Sequence, residues 1–214
     1  MPKKRIQDFC RQIEIPYLTH FTRTENLTSI LKFGLYPVNR FEELEVTPTT
    51  NDELRLDGHL ESISLSISFP NSQMFYKYRM EDSEVRWSVL VLSPSVLWKK
   101  KCAFCKHNAA DRKISCQPLE ALSTPEAFQD LFGEIEGTKA RKELFLKPCD
   151  PTDVQAEILV LEAIEPKYIA CICFDSADDK EAYAKLTNNK KLYFHGRDKG
   201  LFSSRAYARQ YTQH

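Results

Sequence analysis

Asp153-Val154-Gln155-Ala156-Glu157-Ile158-Leu159-Val160-Leu161 is an apolar run with one carboxylate set into it. The run has the look of a strand entering a core, and carboxylates are rarely buried unless something pairs with them. Gln155 and Glu157 are two apart, so on a strand both side chains project from one face, an amide beside an anion. Such a pair suits a sugar's vicinal hydroxyls, with the carboxylate facing developing positive charge. A strand whose solvent face merely carries Gln155, Glu157 and Leu159 is the other reading of the same residues.

Around this run lies a chain of 214 residues, 42% apolar and 28% charged, with no low-complexity segment. That length and balance predict a single globular domain over residues 1–214 rather than a disordered chain. Lys+Arg and Asp+Glu are 30 each, so contact with a polyanion requires local clustering of the basic residues. Seven cysteines follow a basic start that has no apolar h-region behind it, which predicts free thiols in a cytoplasmic protein. No apolar run is long enough to cross a bilayer, so no membrane association is expected.

Upstream, Pro16 closes a short helix ahead of Tyr17-Leu18-Thr19-His20-Phe21-Thr22, a β-branched and aromatic strand. Thr24 reads as the N-cap of a following helix with Leu27, Ile30 and Leu31 on one face, and Gly34 as the αL residue that ends it. His20 and Thr22 therefore sit where a strand runs out beside a helix N-terminus, a setting that favours an anion such as pyrophosphate. A core-edge histidine satisfied by backbone is the plainer alternative. Leu35 to His59 reads as a long loop with Arg55 near its end, and loops of that length tend to be functional. Ile63, Leu65, Ile67 and Phe69 alternate with serines, which predicts a strand with those four residues facing inward. Pro70-Asn71-Ser72 then turns into a helix with Met74, Phe75 and Tyr78 on its apolar side and Tyr76 on another face.

Val85 to Leu92 reads as a further strand. After it, Trp98 to His107 mixes Lys99, Lys100, Lys101 and Lys106 with Trp98 and Phe104, a pattern that suits a single-stranded nucleic acid track. A lysine-rich surface loop fits equally. Cys102-x-x-Cys105 lacks a second half at zinc spacing, so no metal is expected. Thr124-Pro125 starts a helix that ends by Gly133. Residues 115–156 as a whole read as an insertion feeding the central strand, a natural place for substrate selection. Its basic residues Lys139, Arg141 and Lys142, with Lys101, Lys106 and Arg112 before it, are the candidate nucleic-acid contacts. Beyond Glu157 the pattern predicts a strand over 168–174, a helix over 176–186, a short strand over 192–194 and a partly helical basic tail.

Taken together, His20-Phe21-Thr22 before the helix ending at Gly34, Pro70-Asn71-Ser72-Gln73-Met74-Phe75-Tyr76, and Gln155-Ala156-Glu157-Ile158-Leu159-Val160 resemble the DarT family of nucleic-acid-base ADP-ribosyltransferase toxins. The resemblance runs from about Tyr17 to about Phe174. It implies an α/β (α+β) ADP-ribosyltransferase-like fold, two small central sheets forming a cleft for NAD as co-substrate, and transfer of ADP-ribose to a base of single-stranded DNA. By the same resemblance Glu157 is the catalytic glutamate, Arg55 the catalytic arginine with Arg40 as rival, and His20 and Thr22 the NAD-binding pair. Gln155 is expected to assist at the ribose and Tyr76 to pack near nicotinamide. Asn71 stands where many relatives carry an arginine, which opens guanosine beside thymidine as target. RNA as acceptor and a non-catalytic nucleic-acid-binding module are the rival functions, and the family further implies a macrodomain antitoxin as partner.

Overall fold

The structure, a computed structural model, describes residues 1–43, 61–187 and 190–211. Helix α1 (Pro2–Gln12) buries Ile6 and Cys10 and leads into strand β1 (Leu18–Arg23). The next helix begins earlier than its sequence suggests: a 3₁₀ turn over Thr24–Asn26 runs into α2 (Leu27–Phe33). Thr24 consequently caps nothing, and its Oγ1 lies 2.8 Å from Ser88 Oγ. Gly34 does end α2, at φ +100° and ψ −168°, an extended conformation open in practice to glycine alone, and not the αL state expected. A Cβ there would sit 2.2 Å from the Ile164 carbonyl oxygen.

Strand β2 (Ile63–Ile67) turns Ile63, Leu65 and Ile67 into the core, as their alternation predicts. Phe69 departs from it. Ser68 takes φ +58°, and the Phe69 N–H donates to the Ile67 carbonyl at 2.7 Å. That tight reversal sends Phe69 to a different cluster. Helix α3 (Ser72–Glu81) is capped by Asn71, whose Oδ1 accepts from the Met74 N–H at 3.2 Å. Strand β3 (Trp87–Leu92), helix α4 (Val96–Lys99) and strand β4 (Cys102–Cys105) follow, then the short helices α5 (Arg112–Ser115), α6 (Leu119–Leu122) and α7 (Pro125–Asp130). The chain closes with β5 (Glu157–Val160), β6 (Ile169–Phe174), α8 (Ala177–Tyr183), β7 (Lys191–Phe194) and α9 (Arg205–Tyr211).

The strands lie in the order β4-β5-β2-β1-β3-β6-β7, antiparallel except for the β6–β7 pair. One seam is thin. Strands β1 and β3 pair along all of β1, from Leu18↔Leu92 to Arg23↔Trp87, whereas β1 and β2 pair only at Leu18↔Ile67 and Thr19↔Ser66. Past Thr19 the sheet divides into β4-β5-β2 and β1-β3-β6-β7, the two small sheets that the resemblance implies.

On one face of the sheet Leu18, Leu65, Leu90, Ile158, Val160 and Phe174 pack with residues of α1, α4 and α7. On the other, Trp87, Val89, Val91 and Cys173 pack under α3 and α9, and Ala103, Cys105 and Leu159 under α5 and α6. Each fully buried Leu or Phe contributes roughly 1.5–3 kcal/mol through apolar area removed from water. The basic and aromatic run after Trp98 turns one of its rings inward. Its Phe104 is 2% exposed and packs on Phe128 at 4.8 Å, so that ring is core and offers no face to a base. Among the described residues no helix is long and apolar enough to cross a membrane.

Candidate active site

Strand β5 opens on Glu157 itself. Gln155 precedes it in a turn, its N–H donating to Asp153 Oδ1 at 2.8 Å, so Gln155 and Glu157 are not neighbours on one strand face. Glu157 is 6% exposed. Its burial is tolerated because the turn after β4 wraps the carboxylate: Asn108 Nδ2 donates to Oε1 and the Ala109 N–H to Oε2, each at 3.3 Å. Asn108 is fixed in turn by the Ala110 N–H, which donates to its Oδ1 at 2.9 Å. His107 Nδ1 meets Asp153 Oδ2 at 2.7 Å and ties the same turn to the approach to β5. The cradle arises from the register Cys105↔Glu157, which brings residues 107–109 alongside the carboxylate.

Across the seam, His20 Nδ1 lies 2.9 Å from the Ser64 carbonyl oxygen. A carbonyl only accepts, so Nδ1 carries the proton, and Nε2 is the acceptor of the neutral ring. Thr22 is 3% exposed, and its Oγ1 accepts from Asn26 Nδ2 at 3.1 Å. The pairs Thr19↔Ser66 and Ser64↔Leu159 fix the faces: Ser64, Ser66 and Glu157 project to one side, His20 and Thr22 to the other. The carboxylate and the His-x-Thr pair thus flank the seam from opposite faces, rather than lining one wall.

The other expected residues fall in varied settings. Arg55 lies outside the described residues. Arg40 is exposed at the surface and forks onto Glu43 at 2.5 and 2.7 Å, an ion pair that raises its guanidinium above the ordinary value. Tyr76 is 56% exposed on α3, while its neighbour Phe75 carries the packing, stacked on Phe21 at 4.6 Å. Lys101, Arg112, Lys139 and Lys142 are exposed, and Lys106 pairs with Asp130 at 2.9 Å. Arg141 is a brace. Its guanidinium donates to the Asp150 carbonyl at 2.8 Å, to Thr152 Oγ1 at 2.7 Å and to the Lys147 carbonyl at 3.0 Å.

That brace belongs to a buried hub which composition and spacing did not flag. Asp150, fully buried, accepts from Ser68 Oγ at 2.6 Å, from the Lys147 N–H at 2.9 Å and from Arg209 at 2.6 and 2.7 Å. Burial alone would push its carboxyl up, but the bonds from Arg209, Ser68 and Lys147 outweigh that and hold it below the ordinary value. Arg205, also on α9, donates to the Pro151 carbonyl at 2.8 Å and the Thr152 carbonyl at 3.1 Å, and burial lowers its guanidinium to about 10. The segment entering β5 is therefore held from α9. The only signal in the sequence was a basic tail.

Asn71 is 2% exposed, its N–H donating to Ser66 Oγ at 3.2 Å. Its Oδ1 serves as the cap of α3, while its Nδ2 is buried without a hydrogen-bond partner among the described residues. Among the described residues no group of three or more His, Cys, Asp or Glu is arranged to hold a metal. Cys102 and Cys105 are buried strand residues, and burial pushes the Cys102 thiol up to about 12.

A family model described as ssDNA thymidine ADP-ribosyltransferase, DarT, matches residues 19–197. Among solved structures, Thermosipho africanus DarTG in complex with ADP-ribose is similar at a TM-score of 0.57 and 16% identity, over 87% of this chain and 50% of that one. Thermus sp. 2.9 DarT in complex with NAD+ gives 0.54 and 17%, over 85% and 96% of the two chains. The same Thermus protein in complex with ADP-ribosylated ssDNA gives 0.54 and 15%, over 85% and 94%. This chain thus spans half of the Thermosipho chain and nearly all of the Thermus one, and at these identities the likeness speaks for the fold. No curated protein matches the chain. With the family model covering most of its length, the chain belongs to the DarT family of single-stranded DNA thymidine ADP-ribosyltransferases.

Proposed function

We propose that Glu157 is the group around which this chain carries out the transfer, with NAD as donor, thymidine in a single DNA strand as acceptor and nicotinamide as leaving group. The observation that carries the reading is the buried, doubly hydrogen-bonded Glu157 carboxylate at the head of β5, beside a seam that pairs at two positions only. The bond between the ribose carbon and the nicotinamide nitrogen breaks, its electron pair leaving with nicotinamide. The sugar carbon becomes oxocarbenium-like, as in glycoside hydrolysis. A fixed anion in a water-poor setting stabilises that charge more than water does, because its hydrogen bonds are already in place. A ring nitrogen of the base then bonds to the carbon, and its proton passes to solvent water.

His20 and Thr22 hold the dinucleotide from the opposite face. Gln155 and Tyr76 border the donor, and Arg55 positions phosphate or base. Lys101, Lys106, Arg112, Lys139 and Lys142 guide the strand by its phosphates. The Thermus sp. 2.9 DarT structures with NAD+ and with ADP-ribosylated ssDNA support this choice of donor and acceptor, and the likeness to Thermosipho africanus DarTG supports a DarG-type macrodomain partner. Residues 1–214 act as one domain in the cytoplasm, where NAD and transiently single-stranded DNA coexist.

The test incubates the protein and NAD with short DNA and RNA oligonucleotides, followed by mass spectrometry. Thymidine-containing DNA is expected to gain one ADP-ribose, and Glu157→Gln to leave it unmodified. Modification of RNA alone replaces the acceptor. Full transfer by Glu157→Gln removes the mechanism.

A further inference from the structure

Where β3 begins and β6 ends, the packing under α3 opens into a cavity of about 40 Å³, lined by Arg79, Arg86, Trp87, Asp175 and Arg197 among others. Its inner wall is made by two residues almost out of solvent, Trp87 at 3% exposed and Arg79 at 4%. The Trp87 indole is clamped: Tyr78 stacks on it at 6.2 Å and Phe75 meets it edge-on at 5.6 Å. Among the described residues Trp87 Nε1, Arg79 Nε and Asp175 Oδ1 are all buried without a hydrogen-bond partner. Folded proteins leave few such atoms unpaired, and these three belong to residues that line one small cavity.

The charges around the cavity define what it would take. Arg79 spends its other nitrogens on the Arg197 carbonyl and on the Phe202 carbonyl, the latter at 2.8 Å. These bonds fix the guanidinium, and the one carboxylate paired with it among the described residues, Asp198 at 3.5 Å, is 75% exposed. Arg86 and Arg197 stand exposed beside it, so the cavity lining carries three guanidiniums and one carboxylate, Asp175. A buried cation is costly until an anion joins it, and planar guanidinium forks match phosphate oxygens. A single water needs roughly 10–15 Å³ of such space, so this cavity has room for one tetrahedral oxyanion. Burial pushes the Asp175 carboxyl up from its ordinary value. Its Oδ1 suits a hydroxyl or a base N–H next to the phosphate, which favours a nucleotide over a bare ion.

We propose that Arg79, Arg86, Arg197 and Trp87 form a phosphate-binding site for a nucleotide unit of the DNA strand, remote from the base being modified. The source of the phosphate rests on the function proposed above; the site itself does not. Glu157 lies on β5, three strands away from β3 in the sheet. At about 4.8 Å per strand that is roughly 14 Å across the sheet, a span a single strand covers in a few nucleotides.

The chain has two tryptophans, so the indole N–H signals in ¹H–¹⁵N spectra separate Trp87 from Trp98, which packs against the first core and serves as control. Three titrants are used without NAD: inorganic phosphate, a thymidine oligonucleotide, and the same oligonucleotide with an uncharged methylphosphonate backbone. The Trp87 signal is expected to shift saturably with phosphate and at lower concentration with the oligonucleotide, to stay still with the methylphosphonate, and Trp98 not to move. Arg86→Gln with Arg197→Gln, both at the exposed rim, is expected to weaken the response at least tenfold. A shift with phosphate and none with the oligonucleotide would overturn the strand as the source. A Trp87 signal that ignores both, or a double variant that binds as well as the parent, would overturn the site. Since no NAD is present, loss of the site and loss of the transferase reading show up in separate experiments.

Discussion

A carboxylate 6% exposed that accepts from the Asn108 side-chain amide and the Ala109 backbone N–H is held in one orientation before substrate arrives. Glu157→Gln keeps the shape and removes the charge. Transfer is expected to fall by at least about 10²–10³-fold, the scale of losing a fixed electrostatic contact in a transition state, with the thermal midpoint within a few degrees of the parent. Asn108 is a positioning residue. Asn108→Ala is expected to lower kcat about tenfold with KM nearly unchanged, since a hydrogen bond to a charged group is worth roughly 1.5–3 kcal/mol and the Ala109 N–H persists. A matched fall in thermal stability without the kcat change would make Asn108 merely structural. Glu157 was legible because an acid interrupting an apolar run is conspicuous. Asn108 was not, since its contact depends on the pairing of β4 with β5, which local patterning does not specify.

At the level of elements, α9 carries weight out of proportion to its length. Arg209→Ala strips the fork from a fully buried Asp150 and is expected to cost about 3–5 kcal/mol of unfolding free energy in urea titrations, the range for breaking a buried ion pair. The same pair sets an acid limit. Because the folded-state pKa of Asp150 is depressed, its contribution is fully present above the unfolded value of about 4 and is lost as pH falls through the lower native value. Asp150→Asn is expected to be less stable at neutral pH and to show a flatter stability profile below pH about 4. Gly34→Ala meets both a positive φ and the Ile164 carbonyl, and its cost should reach at least roughly 1–3 kcal/mol by the same titration. Alternation revealed β2 and the Thr124 cap revealed α7, whose Ala127 N–H donates to Thr124 Oγ1 at 3.1 Å. The reversal at Ser68 stayed hidden because a serine gives no warning of a positive φ, and Thr24 misled because it had a partner in β3 to bond instead.

For the molecule as a whole, zero net charge leaves strand binding to local groups. Lys139→Glu with Lys142→Glu is expected to reduce the salt dependence of oligonucleotide affinity by about 1.4 in log–log slope, two phosphate contacts at about 0.7 each, as followed by fluorescence anisotropy over a salt series. The two half-sheets could be foreseen only through the likeness of three short motifs to a known family. Periodicity gave the strands but not which of them would part company, because the seam depends on a register of two residue pairs between β1 and β2.

The anchoring of Asp150 by α9 also orders events in time. A polypeptide leaves the ribosome from its amino end, so β5 emerges while Arg205 and Arg209 have yet to be joined to the chain. Until they arrive, the stretch leading into Glu157 lacks the guanidiniums that hold Asp150, Pro151 and Thr152. A translation product halted short of α9 is therefore expected to carry Glu157 at the end of a segment that has lost its anchors, and to transfer nothing.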